Sequence, residues 1–361
     1  MTLSPSTAFL RLLAVASAAW SMPVLAGPLT PGNLILVEVT GTVSSAGPIT
    51  IRELTTSGST VQSLAVNSGS GGGQLTATAT SEGQISLNAS RDSWTLGVYM
   101  PPFSGTGSLA KRTSAEAARG FMTISTSGSV SATATPLTIG GSTAYSGQNI
   151  RSGVRSGSDL WFAGSDGANA GIVAYSGSST LATRVQNVNA RVVQVIDGSL
   201  YYSTGAGATG LHRYAGLPGG PASATAWLTG VAGQGSNPYD FAVAASGSTV
   251  YVADASIGVQ KFTFNGSAWA HAYDFTSSGA YGLAVDFAAP APRLFWTTPT
   301  EVFTAIDTGS AAVGMSIASI SSASGAFRGL DLVPVPEPST FVLAVLGMAA
   351  AGIAARRRRV G

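Results

Sequence analysis

Apolar residues along this chain fall in short runs broken by Gly, Ser, Asn and Asp, and seldom in the 3.6-residue rhythm of an amphipathic helix. Residues 191–205, "RVVQVIDGSLYYSTG", show the habit: apolar run, Asp-Gly, apolar run, turn residues. Such a pattern predicts brief β-strands joined by tight turns. The whole unit then recurs. "IRSGVRSGSDLWFAGSDGANAGIVAYSG", "RVVQVIDGSLYYSTGAGATGLHRYAG", "DFAVAASGSTVYVADASIGVQKFTFNG" and "GLAVDFAAPAPRLFWTTPTEVFTAIDTG" each read as strand, turn, strand, turn, strand. Aligning their second strands on Leu160, Leu200, Val250 and Leu294 gives steps of 40, 50 and 44 residues.

A step of roughly 40 to 45 residues is that of one four-stranded propeller blade. The expected fold is therefore an all-β propeller over residues 27–333, with six blades counted and seven as the alternative. Asp197-Gly198 and Ser246-Gly247 supply hairpin turns, and Trp227 and Trp269 fall where an outer fourth strand belongs. A β-sandwich would explain the strands but not their recurring order. Near the start, "NLILVEV", "ITIREL" and "TVQSLAV" make three strands with no first strand before them, while "FRGLDLV" (327–333) reads as a first strand with no successors. Pairing the two would close the ring and remove an exposed sheet edge.

Both ends read as processing signals. Residues 1–26 carry Arg11, the apolar stretch "LLAVASAAW" and "SMPVLA", a secretory leader for signal peptidase. Residues 334–361 hold three prolines, an uncharged run at 341–355, and Arg356, Arg357, Arg358 and Arg359. As a helix that run spans roughly 22 Å at about 1.5 Å per residue, short for a hydrocarbon core of about 30 Å but extended by snorkelling arginines on the cytoplasmic side. With Val335, Pro336, Glu337 and Pro338 ahead of it, the segment resembles the PEP-CTERM sorting signal of Gram-negative envelope proteins. That resemblance implies recognition by an exosortase, a transient inner-membrane anchor through 341–355 with the body in the periplasm, and delivery to the cell surface or beyond, often in bacteria that make exopolysaccharide.

Charge narrows the partners. Of 18 Lys and Arg, Arg11 and the four tail arginines sit in the terminal segments, leaving 13 against 15 acidic residues once Glu337 is set aside with the tail, so no basic patch for nucleic acid is expected. The chain has no cysteine, which removes disulfides, thiolate nucleophiles and cysteine-held metals together.

Candidate chemistry is sparse. No HExxH, Walker A or GxSxG pattern occurs, and His212 and His271 are too few for a three-histidine zinc site. The strands "LYYST", "NPYDFAV", "TVYVAD" and "GVQKFTF" resemble secreted bacterial propellers of the NHL and lactonase-like groups. Lactonase-like relatives hold calcium in the central channel, which brings Asn237, Asp240, Asp254 and Asp286 forward as weak oxygen-ligand candidates for Ca²⁺; turn capping is the simpler role for such aspartates, and no cofactor is predicted. A second constellation stands at the starts of first strands: Arg151 and Arg191, each nine residues before the aligned leucine, with Arg328, Tyr239 and Tyr281 at corresponding places. In equivalent blades these would ring one mouth of the channel and suit carboxylated or sulfated sugars; equally, each arginine could simply bind nearby carbonyls. The reading is a non-catalytic, exported envelope protein associated with exopolysaccharide or matrix, with a lactonase or glycan lyase as the alternative.

Overall fold

The computed structural model describes residues 27–335, apart from 42–44, 67–71, 101–102, 104–105, 134–137, 140–141 and 178–180. The leader at 1–26, Pro336 to Pro338, the apolar run at 341–355 and the tail arginines lie outside the described residues. Among the described residues helix is confined to one 3-10 turn, Leu109–Lys111, and no helix is long and apolar enough to cross a membrane.

Strands form where the alternation predicts them. The 150–186 sheet runs Ile150–Ser156, Asp159–Gly164, Ile172–Ser176, Ala182–Gln186 in chain order, each strand antiparallel to the next. Sheets at 190–229, 238–276 and 283–319 repeat this meander, the 238–276 sheet gaining a short parallel strand, Ala312–Val313, on its outer edge. Leu160, Leu200, Val250 and Leu294 all lie on second strands, and Trp227 and Trp269 on fourth strands. At Asp197-Gly198 both residues have positive φ, 46° and 69°, the twist a two-residue hairpin needs.

Apart from a two-stranded ribbon of Thr138–Ile139 with Ser142–Thr143, the remaining strands form one nine-stranded sheet that includes both ends of the body. Strand Leu34–Thr40 pairs on one side with Ala46–Leu54 and on the other, antiparallel, with Gly325–Leu332, in a register that sets Leu34 opposite Leu332 and Thr40 opposite Gly325. Beyond it, Val333 N–H donates to Asn33 O at 2.8 Å and Gly32 N–H to Val333 O at 2.9 Å. The chain thus closes on itself through its own termini.

First strands neighbour one another in chain order around a common axis, from Ile150–Ser156 through Ala190–Ile196, Pro238–Val243 and Leu283–Asp286 to Gly325–Leu332. Side chains stitch them together: Ser152 Oγ accepts from Val193 N–H at 3.0 Å, and Gln194 Nε2 donates to Phe241 O at 2.8 Å. At the closing seam the backbones nearly touch. A Cβ on Gly282 would lie 2.6 Å from Leu330 N, so no larger residue fits. The apolar core lies between sheets. Leu34, Leu36 and Leu330 of the first sheet meet Ala284, Phe295 and Val302 of the last, and Tyr201, Leu211 and Leu228 meet Phe241, Val250 and Phe262.

Candidate functional site

Each first strand begins at one end of the axis, and the residues that open these strands gather there. Arg191 lays its guanidinium 4.2 Å over the ring of Tyr239, which meets Tyr281 edge-on at 4.8 Å. The charge of Arg191 also reaches Arg151, and Arg328 faces Tyr281 and Tyr239. All five residues singled out from the sequence therefore share one mouth, but at different depths. Arg191 and Tyr281 are half-buried. Arg151 (8% exposed) and Arg328 (1%) lie beneath them, because each reaches across to a neighbouring strand or turn: Arg151 Nη1 donates to Asn189 Oδ1 and Ala190 O, Arg328 Nη2 to Ala77 O at 2.7 Å. The two deep arginines brace the mouth from below instead of lining it.

Sequence reasoning missed the acid they surround. Glu82, fully buried, accepts hydrogen bonds from Thr76 N–H (2.8 Å), Tyr99 Oη (2.9 Å) and Asn149 Nδ2 (3.0 Å). Burial pushes its carboxyl up, against those bonds and the charge of Arg328. Arg119, 2% exposed, sits 5.0 Å over the Tyr99 ring and donates to Ala117 O and Gln148 O. Burial lowers Arg119 and Arg151, and takes Arg328 down to about 10. Glu82 escaped notice because its unit has a first strand of only two residues, Ser86–Leu87; looking just ahead of every first strand, however short, would have found it.

The opposite end of the axis opens into a cavity of about 800 Å³, walled by the far ends of the same strands, including Gln194, Asp240, Asp286, Asp331 and Val335. Asp240, 2% exposed, accepts from Gln194 Nε2 (2.8 Å), Phe241 N–H (2.9 Å) and Leu283 N–H (3.0 Å). Asp331 accepts from Trp94 Nε1 (2.9 Å) and Leu332 N–H (2.7 Å). Burial raises both carboxyls, Asp240 well above its usual range and Asp331 to about 6.

A folded pKa near 6 against about 3.9 in the unfolded chain means the native state binds this proton more tightly. Its contribution is fully present below pH 4, is lost as pH rises through about 6, and totals about 3 kcal/mol. Asp331→Asn is therefore expected to flatten that part of the profile, so that urea midpoints measured from pH 4 to 8 fall less for the variant than for the parent.

The four oxygen-ligand candidates do not converge. Asp240 and Asp286 border the cavity, whereas Asn237 and Asp254 lie at the arginine end, where Asp254 caps a turn by accepting from Asn237 N–H (2.8 Å) and Ser256 N–H (2.9 Å). Asp286 accepts from Ala288 N–H at 2.9 Å in the same manner. Among the described residues no group of three or more His, Asp or Glu is placed to hold a metal. His212 stacks flat on Tyr202 at 4.9 Å, and His271 bonds Asp274 at 2.7 Å.

Repeated antiparallel meanders, first strands around one axis and closure by the two terminal strands define a β-propeller body. Its tail is specific as well: residues 334–359 match the PEP-CTERM protein-sorting motif, the mark of an exported protein that passes through the membrane and is sorted by an exosortase. Comparison with curated protein sequences returns no match. Among solved structures, a nidogen/laminin complex is similar at 12% identity over 84% of this chain and 100% of that one, with a TM-score of 0.48. Hydrazine synthase of Kuenenia stuttgartiensis aligns at 10% identity over 80% and 79% of the two chains (TM-score 0.39), and YCF48 bound to a D1 peptide at 13% over 67% and 69% (TM-score 0.36).

Proposed function

We propose that this protein is an exported, exosortase-processed envelope propeller whose body is a non-catalytic binding module for acidic exopolysaccharide or matrix polymer, held at the arginine and tyrosine mouth. Signal peptidase removes residues 1–26, the 341–355 segment anchors the body on the periplasmic side, and sorting releases it to the surface. Six blades are the count we favour: among the described residues the buried apolar side chains fall into six clusters, each shared by two consecutive units.

The observation that carries the binding reading is the cluster in which Arg191 lies over Tyr239 and Tyr239 meets Tyr281 edge-on, with Arg191 and Tyr281 half-exposed above two buried guanidiniums. Guanidinium groups offer paired donors to a carboxylate or sulfate, and phenol rings offer flat faces to a sugar. With the full-length chain in detergent, the double variant Arg191→Ala/Tyr281→Ala is expected to bind a polyuronate at least about tenfold more weakly, since each lost contact is worth on the order of 1 kcal/mol. Parent binding should also weaken with salt. Equal binding by parent and variant on a glycan array, with and without calcium, would sink this reading. The cavity carboxylates Asp240 and Asp331, both held toward the protonated state, favour a second reading as a glycan lyase or lactonase; release of unsaturated or ring-opened products would establish it.

A further inference from the structure

Beneath the mouth the buried charges do not balance. Arg119, Arg151 and Arg328 are 2%, 8% and 1% exposed, and the buried carboxylate whose charge reaches all three is Glu82. None of the three guanidiniums forms an ion pair within 4.0 Å among the described residues. The Nη atoms of Arg119 and Arg328 and Nη1 of Arg151 donate to neutral acceptors, mostly main-chain carbonyls, and the Nε of each of the three is buried without any acceptor. Buried charges are ordinarily paired, and a buried donor without a partner costs about 1–3 kcal/mol.

A fourth orphan lies among them. Gln84 is fully buried, and both its side-chain nitrogen and oxygen lack a partner. Its segment is clamped between the two strands that carry the deep arginines. Gln84 N–H donates to Arg151 O at 3.1 Å, and Gly83 O accepts from Gly329 N–H at 3.1 Å. The approach is so close that a Cβ on Gly83 would stand 3.2 Å from Cβ and Cγ of Arg328, and one on Gly329 would stand 3.0 Å from Gln84 Cα.

We infer that the axis holds a small inorganic anion of chloride size between Arg151, Arg328 and Gln84, accepting from the free guanidinium N–H groups and the side-chain amide. A single monovalent anion acts on both deficits at once, since it accepts several N–H donors and reduces the excess of positive charge. Water would serve the donors and leave the charge. The site is separate from glycan binding above it, so either can fail alone.

The test uses the full-length chain in detergent, melted in a buffer whose only anion is a bulky organic sulfonate, then with chloride added at matched ionic strength. The melting temperature should rise saturably by about 2–5 °C, as for any ligand that binds the native state alone. Crystals grown with bromide should show anomalous density against Arg151, Arg328 and Gln84. Gln84→Glu builds the negative charge into the chain and should abolish the chloride response. An unchanged melting temperature in chloride, ordered water without anomalous signal at that position, or a full chloride response in Gln84→Glu would each overturn the inference. The bromide experiment needs no variant and stands even if Gln84→Glu does not fold.

Discussion

Ending the chain after Ser324 should abolish cooperative unfolding, whereas ending it after Val335 should leave the melting temperature where the full-length body has it. The shorter chain lacks strand Gly325–Leu332, which supplies the outer partner of Leu34–Thr40. It also loses Phe327 (3% exposed), Leu330 (0%) and Val333 (2%) from the core. Each large apolar side chain removed from a packed site costs about 2–5 kcal/mol, so the sum approaches the 5–15 kcal/mol that typically separates folded from unfolded chains. Loss of the strand further exposes Leu34 and Leu36 and frees a sheet edge for wrong pairing. Val335, by contrast, is 66% exposed. Circular dichroism melts of the two truncations distinguish the cases, and a cooperative transition in the Ser324 truncation would refute closure by the terminal strands.

Glu82→Ala should be the most damaging single substitution at the mouth, at about 3–5 kcal/mol. It removes the acceptor for Thr76 N–H, Tyr99 Oη and Asn149 Nδ2 together, in a place no water reaches from outside. Glu82→Gln should recover part of the loss, because the amide oxygen still accepts, while its NH₂ faces donors where the second carboxylate oxygen accepted. Urea midpoints for parent, Gln and Ala should fall in that order. An Ala variant as stable as the parent would mean that these donors find other partners.

Much of this fold was legible in the chain. Period-two apolar runs and their spacing set the strands, the Asp197-Gly198 turn set a hairpin, and the partnerless strands at the two ends pointed to each other. The mouth was half legible. Arg151 and Arg191 stand at equal distances from their aligned leucines, so strand equivalence alone predicted that they would meet. Their depth was not legible, because it follows from reach across to Asn189, Ala190 and Ala77, residues 38, 39 and 251 positions away from their donors. The oxygen-ligand candidates show the same limit: Asp254 and Asp286 look alike at strand ends, yet lie at opposite ends of the axis.

Local pattern was sufficient for strand, turn, repeat and sorting tail, since each depends on neighbours along the chain. Which charges end up buried together was settled by closure around the axis. Closure brings Glu82, Gln84, Arg151 and Arg328 from three separate stretches into one desolvated space, where an unpaired charge is costly and the demand for a counter-ion first arises.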